Sequence, residues 1–329
     1  MSQTATAASR SPIAPLLRRA FLFLSASPRL GRAVTDSRLA WRAARRFIAG
    51  QTVDQAIAVV QELNAQGLSA SLDHLGENVS RLQDAEASAD AYLEAIARIR
   101  GAGVRSGVSL KLTALGMDLG TDVAEAQLRR ILSAAAAAQP VPFVRIDMEG
   151  SAYTERTLEL FHRVRADHQR VGVVVQAYLY RTAGDVERLI AAGSGPRLCK
   201  GAYLEGPDVA WPRKEEVDAS YLRLAERLLG EEARGKGVYP ALATHDPQII
   251  AAVRQLVARD GIGPEAFEFQ MLYGVRRDLQ LALVRDGFRV RVYVPYGRQW
   301  YPYFMRRLAE RPENLAFIVR SVLREGRGG

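Results

Sequence analysis

Two adjacent arginines near the carboxyl end of the chain have the chemistry needed to bind a carboxylate. Arg306 and Arg307 follow Tyr303 by three and four residues, so the three side chains share one face if this segment is helical. An arginine guanidinium donates two parallel hydrogen bonds to a carboxylate, and an aromatic ring beside it suits a partly apolar ligand. Together with Tyr293 in the preceding apolar run, this spacing predicts a site for a small organic acid.

Three further side chains are candidates for such a site. Lys111 stands between Leu110 and Leu112, so an inward-facing lysine here needs a carboxylate or an anionic ligand as its partner. Asp147 follows another apolar run and is either the partner of a structural cation or part of the site. His245, at the end of a third run, is either a buried core histidine or a functional group. The residues alone leave these alternatives open.

These side chains belong to short apolar runs that alternate with longer amphipathic stretches. The eight runs are Ser69–His74, Val108–Thr113, Phe143–Glu149, Gly172–Tyr178, Arg197–Tyr203, Ala241–His245, Phe267–Leu272 and Val290–Val294. Alternating strands and helices predict a parallel sheet, and eight such units in about 250 residues match a (β/α)8 TIM barrel. The alternative is a doubly wound open sheet, but the glycine-rich turn typical of its first strand does not follow His74.

Polar side chains cluster toward the ends of these runs. They are Asp73 and His74; Lys111 and Thr113; Asp147 and Glu149; Gln176 and Tyr178; Arg197, Lys200 and Tyr203; Thr244 and His245; Gln270; Tyr293 and Tyr296. The carboxyl ends of barrel strands form the rim that carries the active site in such enzymes. Buried polar groups cost free energy unless they are paired, so a purely structural barrel has no reason to collect them. The pattern predicts a functional rim.

The predicted domain organisation has three parts. Residues 1–12 are rich in Ser, Thr and Ala and are predicted to be disordered. Residues 13–68 are predicted to form an N-terminal helical arm, with helices around Arg38–Ala49 and Val53–Gln66. The barrel is predicted over residues 69–325. The expected fold class is therefore α/β, a (β/α)8 barrel with extra N-terminal helices.

The composition is that of a globular protein without disulfides or a metal site. Hydrophobic residues make up 48% of the 329 residues, which is enough to bury a large core. Cys199 is the single cysteine, so no intramolecular disulfide can form and a reducing compartment is expected. The four histidines and the cysteine lack the spacing of metal ligands, so no metal is predicted.

The net charge of +9 indicates either an anionic partner or a general enrichment in arginine, and the sequence leaves both open. A helix that spans a bilayer needs about 20 apolar residues, and no segment provides them. The basic amphipathic segment Leu16–Leu24 is either a helix packed on the main domain or one that contacts a membrane surface or a partner. We expect a cytoplasmic protein.

The order of the rim motifs resembles that of the monofunctional bacterial proline dehydrogenases over roughly residues 60–320. The motifs are Asp73-His74-Leu75-Gly76-Glu77, the segments 109–116, 144–149, 175–178 and 197–203, Ala243-Thr244-His245, the segment 269–274, and Tyr293 with Tyr303, Arg306 and Arg307. Each motif is weak alone, but their shared order along successive strands is specific. The resemblance implies a distorted (β/α)8 barrel that binds FAD without a covalent bond.

The resemblance also implies roles for single residues. The catalytic residues would be Lys111, Asp147 and Tyr293, with Asp147 organising Lys111. Substrate-binding residues would be Arg306, Arg307 and Lys111 at the carboxylate of proline, and Leu272, Tyr293 and Tyr303 around its ring. FAD would be held by Gln176, Arg197, Cys199, Lys200, Gly201, Ala202, Thr244 and His245, with Glu310 close to it. Glu77 and Arg197 would form an ion pair that closes over the active site. Cys199 departs from the family pattern, which usually has an apolar β-branched residue there.

The implied reaction is oxidation of L-proline to Δ1-pyrroline-5-carboxylate by hydride transfer to flavin N5. This is the first step of proline catabolism to glutamate, with electrons passed to a quinone and the product passed to pyrroline-5-carboxylate dehydrogenase. A quinone acceptor implies peripheral contact with the inner face of the cytoplasmic membrane.

Two other functions are open from the residues alone. One is a different (β/α)8 enzyme that acts on a small carboxylate, and the other is a non-catalytic basic binding protein. The first finds no support in a metal-ligand cluster or a glycine-rich phosphate loop. Against the second, the aromatic residues cluster with the strand ends rather than along a basic face, so nucleic acid is not an expected partner.

Overall fold

The structure is a computed structural model that describes residues 34, 35 and 37–310. Contacts divide the chain into two compact units, Ala49–Gly297, and residues 1–48 together with residues 298–329. The predictions of a disordered segment over residues 1–12 and of a helix at Leu16–Leu24 fall outside the described residues.

Eight parallel strands close into a barrel within the unit Ala49–Gly297. They are β1 (Ser69–His74), β2 (Ser106–Leu110), β3 (Val144–Ile146), β4 (Val171–Gln176), β5 (Arg197–Cys199), β6 (Ala241–Ala243), β7 (Glu268–Leu272) and β8 (Val290–Tyr296). Each strand pairs with the next along the chain, and β8 returns to β1 with Ser69 opposite Arg291 and His74 opposite Tyr296. The prediction of a (β/α)8 barrel is confirmed.

Local sequence signals set where several helices begin and end. The helices are α1 (Arg38–Ala44), α2 (Val53–Ala65), α3 (Leu82–Ala102), α4 (Thr121–Ala136), α5 (Ser151–Arg165), α6 (Thr182–Ala191), α7 (Lys214–Leu229), α8 (Glu231–Gly235), α9 (Pro247–Arg259), α10 (Arg277–Arg285) and α11 (Tyr301–Glu310). A capping box starts α2, because Thr52 and Gln55 each accept a hydrogen bond from the other's backbone N–H. Asp246 caps α9, and Pro247 occupies its first position. Gly103, with a φ of 61°, ends α3 in the left-handed region.

Apolar side chains fill the barrel and the layer between its strands and helices. All residues of β4 are buried, as expected for a parallel strand covered on both faces. The helices contribute large buried side chains, namely Tyr92, Phe161 and Tyr221. This apolar packing fixes the strand ends, and with them the polar side chains of the rim.

The structure differs from the sequence prediction at β5 and at the first domain boundary. The predicted run Arg197–Tyr203 is a strand only over Arg197–Cys199, and Gly201 leaves it with a φ of 120°. Arg197 opens this strand, as it opens the predicted run, although it was grouped with the polar residues at the run ends. The helix α2 belongs to the barrel unit, where Val60 and Leu63 join the core, although it was predicted within a separate arm over residues 13–68.

The second unit contributes α1 and α11 to the described residues. Their aromatic side chains pack together: the Trp300 ring lies 5.5 Å from Trp41 and 5.9 Å from Phe304, and Phe47 lies 6.4 Å from Phe304. Across the described parts of both units, the helices lack the length and apolar content required to cross a bilayer.

Candidate active site

Lys111 lies in a buried ion pair. It directly follows β2, is 8% exposed, and places its Nζ 3.3 Å from a carboxylate oxygen of Asp73 in β1. The hydroxyl of Tyr92 also donates to Asp73, at 3.4 Å. The sequence predicted that an inward lysine needs a carboxylate here, but the resemblance named Asp147. The neighbouring strand β1 supplies a carboxylate, since Asp73 and Ser109 are opposite each other in the β1–β2 register, and the role predicted for Asp147 toward Lys111 stays a prediction.

Asp147 joins two other predicted site residues. It follows β3 and accepts hydrogen bonds from Arg197 Nη1 at 2.7 Å and from the Tyr293 hydroxyl at 2.8 Å. The Arg197 guanidinium also lies 5.3 Å from the centre of the Tyr293 ring, within the range of a cation–π contact. The structure therefore brings Asp147, Arg197 and Tyr293 into one hydrogen-bonded group.

Burial shapes the protonation of this group. It raises the pKa of Asp147 above its usual value, and the positive charges of Arg197 and Lys111 oppose that rise. Burial and the negative charge of Asp147 raise the pKa of Tyr293 well above its usual value. Tyr293 is therefore a neutral phenol that donates its proton in the hydrogen bond to Asp147.

Arg197 points into the barrel rather than toward Glu77. Its Nε donates to Gln270 at 2.5 Å and its Nη2 to Ser109 at 2.9 Å, in addition to the bond with Asp147. Among the described contacts of Arg197 there is no ion pair with Glu77. Its strand position sends the guanidinium across the barrel interior, and the gate predicted for Glu77 and Arg197 stays a prediction.

A second polar group lies between β2, β3 and β4. The Glu149 carboxylate accepts from the Thr113 hydroxyl at 2.6 Å and from its backbone N–H at 3.2 Å. The Gln176 amide, predicted to bind FAD, donates to the Glu149 carbonyl at 2.9 Å. Burial raises the pKa of Glu149, against the effect of the two bonds from Thr113. These contacts fix the orientation of Gln176 at the end of β4.

The loop after β5 carries Lys200, Gly201 and Ala202. The Lys200 ammonium pairs with Asp218 and lies 2.8 Å from Asp246, so it is held between two carboxylates. A Cβ placed on Gly201 would overlap the ring of Tyr178, and its φ of 120° disfavours any other residue. Ala202 is exposed.

His245 and Thr244 follow β6. The His245 Nε2 accepts a hydrogen bond from the backbone N–H of Leu272 at 2.9 Å, which places the proton of a neutral imidazole on Nδ1. The Thr244 hydroxyl accepts from the backbone N–H of Asp246 at 3.1 Å. The bond from Leu272 ties the end of β7 to the chain after β6 and brings His245 beside this predicted substrate-binding residue.

Cys199 ends β5 as a protonated thiol. Its Sγ donates to the carbonyl of Val175 at 3.5 Å, and burial raises the pKa of the thiol to about 12. A thiol that stays protonated is a poor nucleophile. Cys199 is therefore a packing and backbone residue within the described structure.

The predicted carboxylate-binding arginines lie in α11. Arg307 stacks on the ring of Tyr303 with 5.0 Å between its guanidinium carbon and the ring centre, as their spacing of four residues predicts. Arg306 precedes it in the same helix. The Glu310 side chain lies outside the described atoms. The roles of Tyr303, Arg306, Arg307 and Glu310 stay predictions.

Sequence reasoning assigned no role to three residues that organise this rim. Asp73 pairs with Lys111, while Ser109 and Gln270 hold Arg197. The sequence could have indicated a role for Asp73 and Gln270, because both are polar residues toward the ends of apolar runs. Ser109 gave no such indication, since a small hydroxyl inside a strand is common and its partner comes from β5. Within the described residues, no group of three or more His, Cys, Asp or Glu side chains is arranged to hold a metal ion.

Comparisons with known proteins identify relatives along nearly the whole chain. The family model described as proline dehydrogenase matches residues 56–320. Proline dehydrogenase 1 of Bacillus subtilis (strain 168) is 42% identical over 312 residues, which cover 94% of this chain and 100% of that protein. Proline dehydrogenase of Deinococcus radiodurans is 40% identical over 314 residues, covering 94% of this chain and 98% of that protein.

Larger proteins share the same region. The bifunctional protein PutA of Escherichia coli (strain K12) is 31% identical over 317 residues, but this chain spans only 24% of it. The crystal structure of proline utilization A (PutA) from Bdellovibrio bacteriovorus, inactivated by N-propargylglycine, superposes with a TM-score of 0.76 at 25% identity. That superposition covers 89% of this chain and 36% of the other.

Proposed function

This chain belongs to the proline dehydrogenase family and is an enzyme that oxidises proline, the first step of proline catabolism; we propose that it does so with FAD at the carboxyl-end rim of its barrel. The observation that carries the proposal is the buried charged layer at this rim. It pairs Lys111 with Asp73 and Asp147 with Arg197 and Tyr293. The product would be Δ1-pyrroline-5-carboxylate, the substrate of a pyrroline-5-carboxylate dehydrogenase.

The donor groups after β4, β5 and β6 fit a flavin cofactor. The side chains of Gln176, Lys200, Thr244 and His245 supply amide, ammonium, hydroxyl and imidazole groups along three adjacent strands. Such groups suit the polar edge of a flavin ring and the diphosphate of FAD. When bound, FAD would supply the chemistry of accepting a hydride from the carbon next to the proline nitrogen. Gly201 and Ala202 would hold it through their backbone.

The cationic and aromatic residues that the sequence assigns to the substrate suit proline. We assign Lys111, Arg306 and Arg307 to its carboxylate, and Leu272, Tyr293 and Tyr303 to its ring. Positive charge near the substrate disfavours protonation of its amine and so increases the neutral, reactive fraction. Asp147 would keep the Tyr293 ring and the Arg197 guanidinium oriented through the hydrogen bonds at 2.8 and 2.7 Å. Positioning of this kind lowers the barrier by holding reacting groups in place.

A quinone is the proposed electron acceptor, which implies a cytoplasmic protein that visits the membrane surface. The net charge of +9 supports attraction to anionic lipids. The segment Leu16–Leu24 is the proposed contact.

The absorption spectrum of the purified protein tests the proposed cofactor. We expect a flavin spectrum that L-proline bleaches in the absence of oxygen. A protein that stays colourless after FAD is added would contradict the proposal.

Substitution of Arg307 tests the proposed carboxylate site. Arg307→Met should lower kcat/KM for proline by at least about 100-fold, equivalent to roughly 2.7 kcal/mol, while the flavin spectrum is retained. The exposed Arg285 of α10 provides a control, and Arg285→Met should leave kcat/KM within about twofold. Unchanged kinetics in Arg307→Met would remove Arg307 from the substrate site.

A further inference from the structure

A polar cavity of about 420 Å³ opens at the amino-terminal end of the barrel. Its walls include Arg145 of β3, Val171 of β4, Glu268 of β7 and Arg291 of β8, each the first or second residue of its strand. The candidate active site lies at the opposite, carboxyl ends of the strands, where barrel enzymes place their chemistry. The volume falls within the range of small-molecule sites. The cavity therefore lies at the other end of the strands from the proposed reaction, and Arg197 is the proposed active-site residue that also lines it.

The charge in this cavity is strongly positive. The lining includes the arginines Arg145, Arg165, Arg170, Arg197, Arg289 and Arg291, and one acidic residue, Glu268. Glu268 forms an ion pair with Arg291, whose Nε lies 2.7 Å from the Glu268 carboxylate. Arg197 forms an ion pair with Asp147, with 2.7 Å between Nη1 and a carboxylate oxygen. The other four lining arginines form an ion pair with neither Glu268 nor Asp147. They are Arg145, Arg165, Arg170 and Arg289.

Arg145 is the most buried of these four. Its Nη1 donates to the carbonyls of Val173 and Gly195, at 3.1 and 2.9 Å, and its guanidinium stacks on the Phe143 ring at 4.7 Å. In the part of the chain that the structure describes, no carboxylate forms an ion pair with it. Burial and the nearby charge of Arg197 lower the pKa of Arg145 to about 9. A buried charge without a counter-ion is costly, so this position favours an anion.

Arg165, at the wall of the cavity, resembles Arg145 because its guanidinium also donates to backbone carbonyls. It comes from the end of α5 and donates to the carbonyls of Gln169 and Gly193. No described carboxylate pairs with it, and burial lowers its pKa. Arg170 and Arg289 are exposed at the opening, where their charge can attract an anion from solution.

The glycine at position 172 keeps the Arg145 side chain in place. A Cβ on Gly172 would lie 2.6 Å from Arg145 Nη1 and 2.8 Å from the Phe143 ring. A larger residue at this position would therefore have to displace the Arg145 guanidinium and the Phe143 ring. The backbone of β4 is thus shaped around the buried guanidinium.

We propose that this amino-terminal cavity binds a small anion that carries phosphoryl groups. Arginines reach it from several elements, namely the end of α5 and the starts of β3, β4, β5 and β8. A phosphoryl group offers three terminal oxygens in different directions, whereas a planar carboxylate is satisfied by one or two guanidinium forks. The volume has room for a diphosphate or for a phosphate attached to a small organic group.

Titration calorimetry with inorganic pyrophosphate tests the proposal. The protein is saturated with FAD, so that the carboxyl-end rim is occupied, and kept at about 0.15 M ionic strength. We expect saturable binding whose Kd rises at least about tenfold in the double variant Arg165→Gln, Arg289→Gln, or about 1.4 kcal/mol. Arg165 is half-buried and Arg289 is exposed, so the variant leaves the buried Arg145 in place. The exposed pair Arg98→Gln, Arg285→Gln removes the same charge elsewhere and should leave the Kd within about twofold.

Two further binding measurements test where the anion binds and which chemical class of anion the cavity prefers. Arg306→Met should keep pyrophosphate binding, because α11 contributes nothing to the cavity lining. Citrate should bind at least about tenfold more weakly than pyrophosphate. The proposal is overturned if pyrophosphate gives no saturable binding, if both double variants weaken it equally, if Arg306→Met abolishes it, or if citrate binds as tightly. None of these outcomes depends on turnover of proline.

Discussion

At the scale of single residues, the Lys111–Asp73 pair makes the first prediction. The two side chains are 10% and 1% exposed, so Asp73→Asn would remove the negative charge from a buried ion pair. We expect this variant to lower the free energy of unfolding by about 3 kcal/mol and to raise KM for proline. Chemical denaturation and steady-state kinetics measure the two effects.

The control for this prediction is an ion pair at the surface. Asp54 lies 3.4 Å from Arg98, and their side chains are 67% and 51% exposed. Asp54→Asn should change the free energy of unfolding by less than about 1 kcal/mol. Equal losses in the two variants would show that burial does not set the strength of the Lys111 pair.

Glu149 makes a prediction about pH. Burial raises its pKa in the folded state above the value of about 4.3 expected when unfolded. Between these two values the folded protein binds more protons, so the free energy of unfolding falls as the pH rises. Glu149→Gln lacks this titration, and its stability relative to the unsubstituted protein should therefore increase as the pH rises above about 4.3. Urea unfolding across this range measures the difference.

The exposed Glu159 of α5 is the matched position. Glu159→Gln makes the same chemical change on the exposed surface of α5 and serves as the control for the substitution itself. If Glu149→Gln runs parallel to the unsubstituted protein, the raised pKa of Glu149 is wrong.

Residue types were easier to predict than residue partners. The apolar neighbours of Lys111 indicated that it needs a carboxylate, which the structure bears out. Which carboxylate it meets depends on the register between β1 and β2, and this register is set by packing of the whole barrel. For the same reason, the hydrogen bonds of Arg197 to Ser109 and Gln270 were not predicted.

At the scale of elements, the turn after β5 depends on Gly201. Gly201→Ala would meet both an unfavourable φ of 120° and the ring of Tyr178. We expect the displaced backbone to raise the Kd for FAD by at least about tenfold. Fluorescence titration of the flavin-free protein measures this constant.

Gly261 provides a control that separates the effect of backbone strain from that of a steric clash with Tyr178. It has a φ of 62°, but a Cβ there would meet no atom within 4 Å. Gly261→Ala should cost about 1 kcal/mol of stability and leave the Kd for FAD unchanged. Loss of FAD in both variants would mean that general destabilisation, rather than the shape of the β5 turn, is responsible.

The order and number of strands could be predicted, but not all of their ends. Apolar runs with helices between them identified all eight strands and hence the barrel. The run at Arg197–Tyr203 was too long, because the apolar pattern continues past the point where Gly201 turns the chain. Lys200 and Tyr203, which were predicted within that run, lie after the end of the strand.

At the scale of the whole molecule, the positive charge predicts reversible attraction to anionic membranes. The protein should sediment with phosphatidylglycerol vesicles and not with phosphatidylcholine vesicles, and about 0.5 M salt should release it. Leu17→Gln with Phe21→Gln should weaken binding if the segment Leu16–Leu24 is the contact. Binding that is independent of salt and lipid charge would contradict an electrostatic attraction.

The pairing of β8 with β1 also governs how the protein comes into being. A hydrogen bond from Ser69 to the carbonyl of Val290 joins positions 221 residues apart in the chain. During synthesis, the edge of β1 that pairs with β8 stays unpaired until the ribosome has released β8. Contacts between residues this distant in sequence also form slowly. Nascent chains that stop short of β8 would be prone to aggregate, so production of this enzyme should depend on chaperones more than its final, edgeless barrel would suggest.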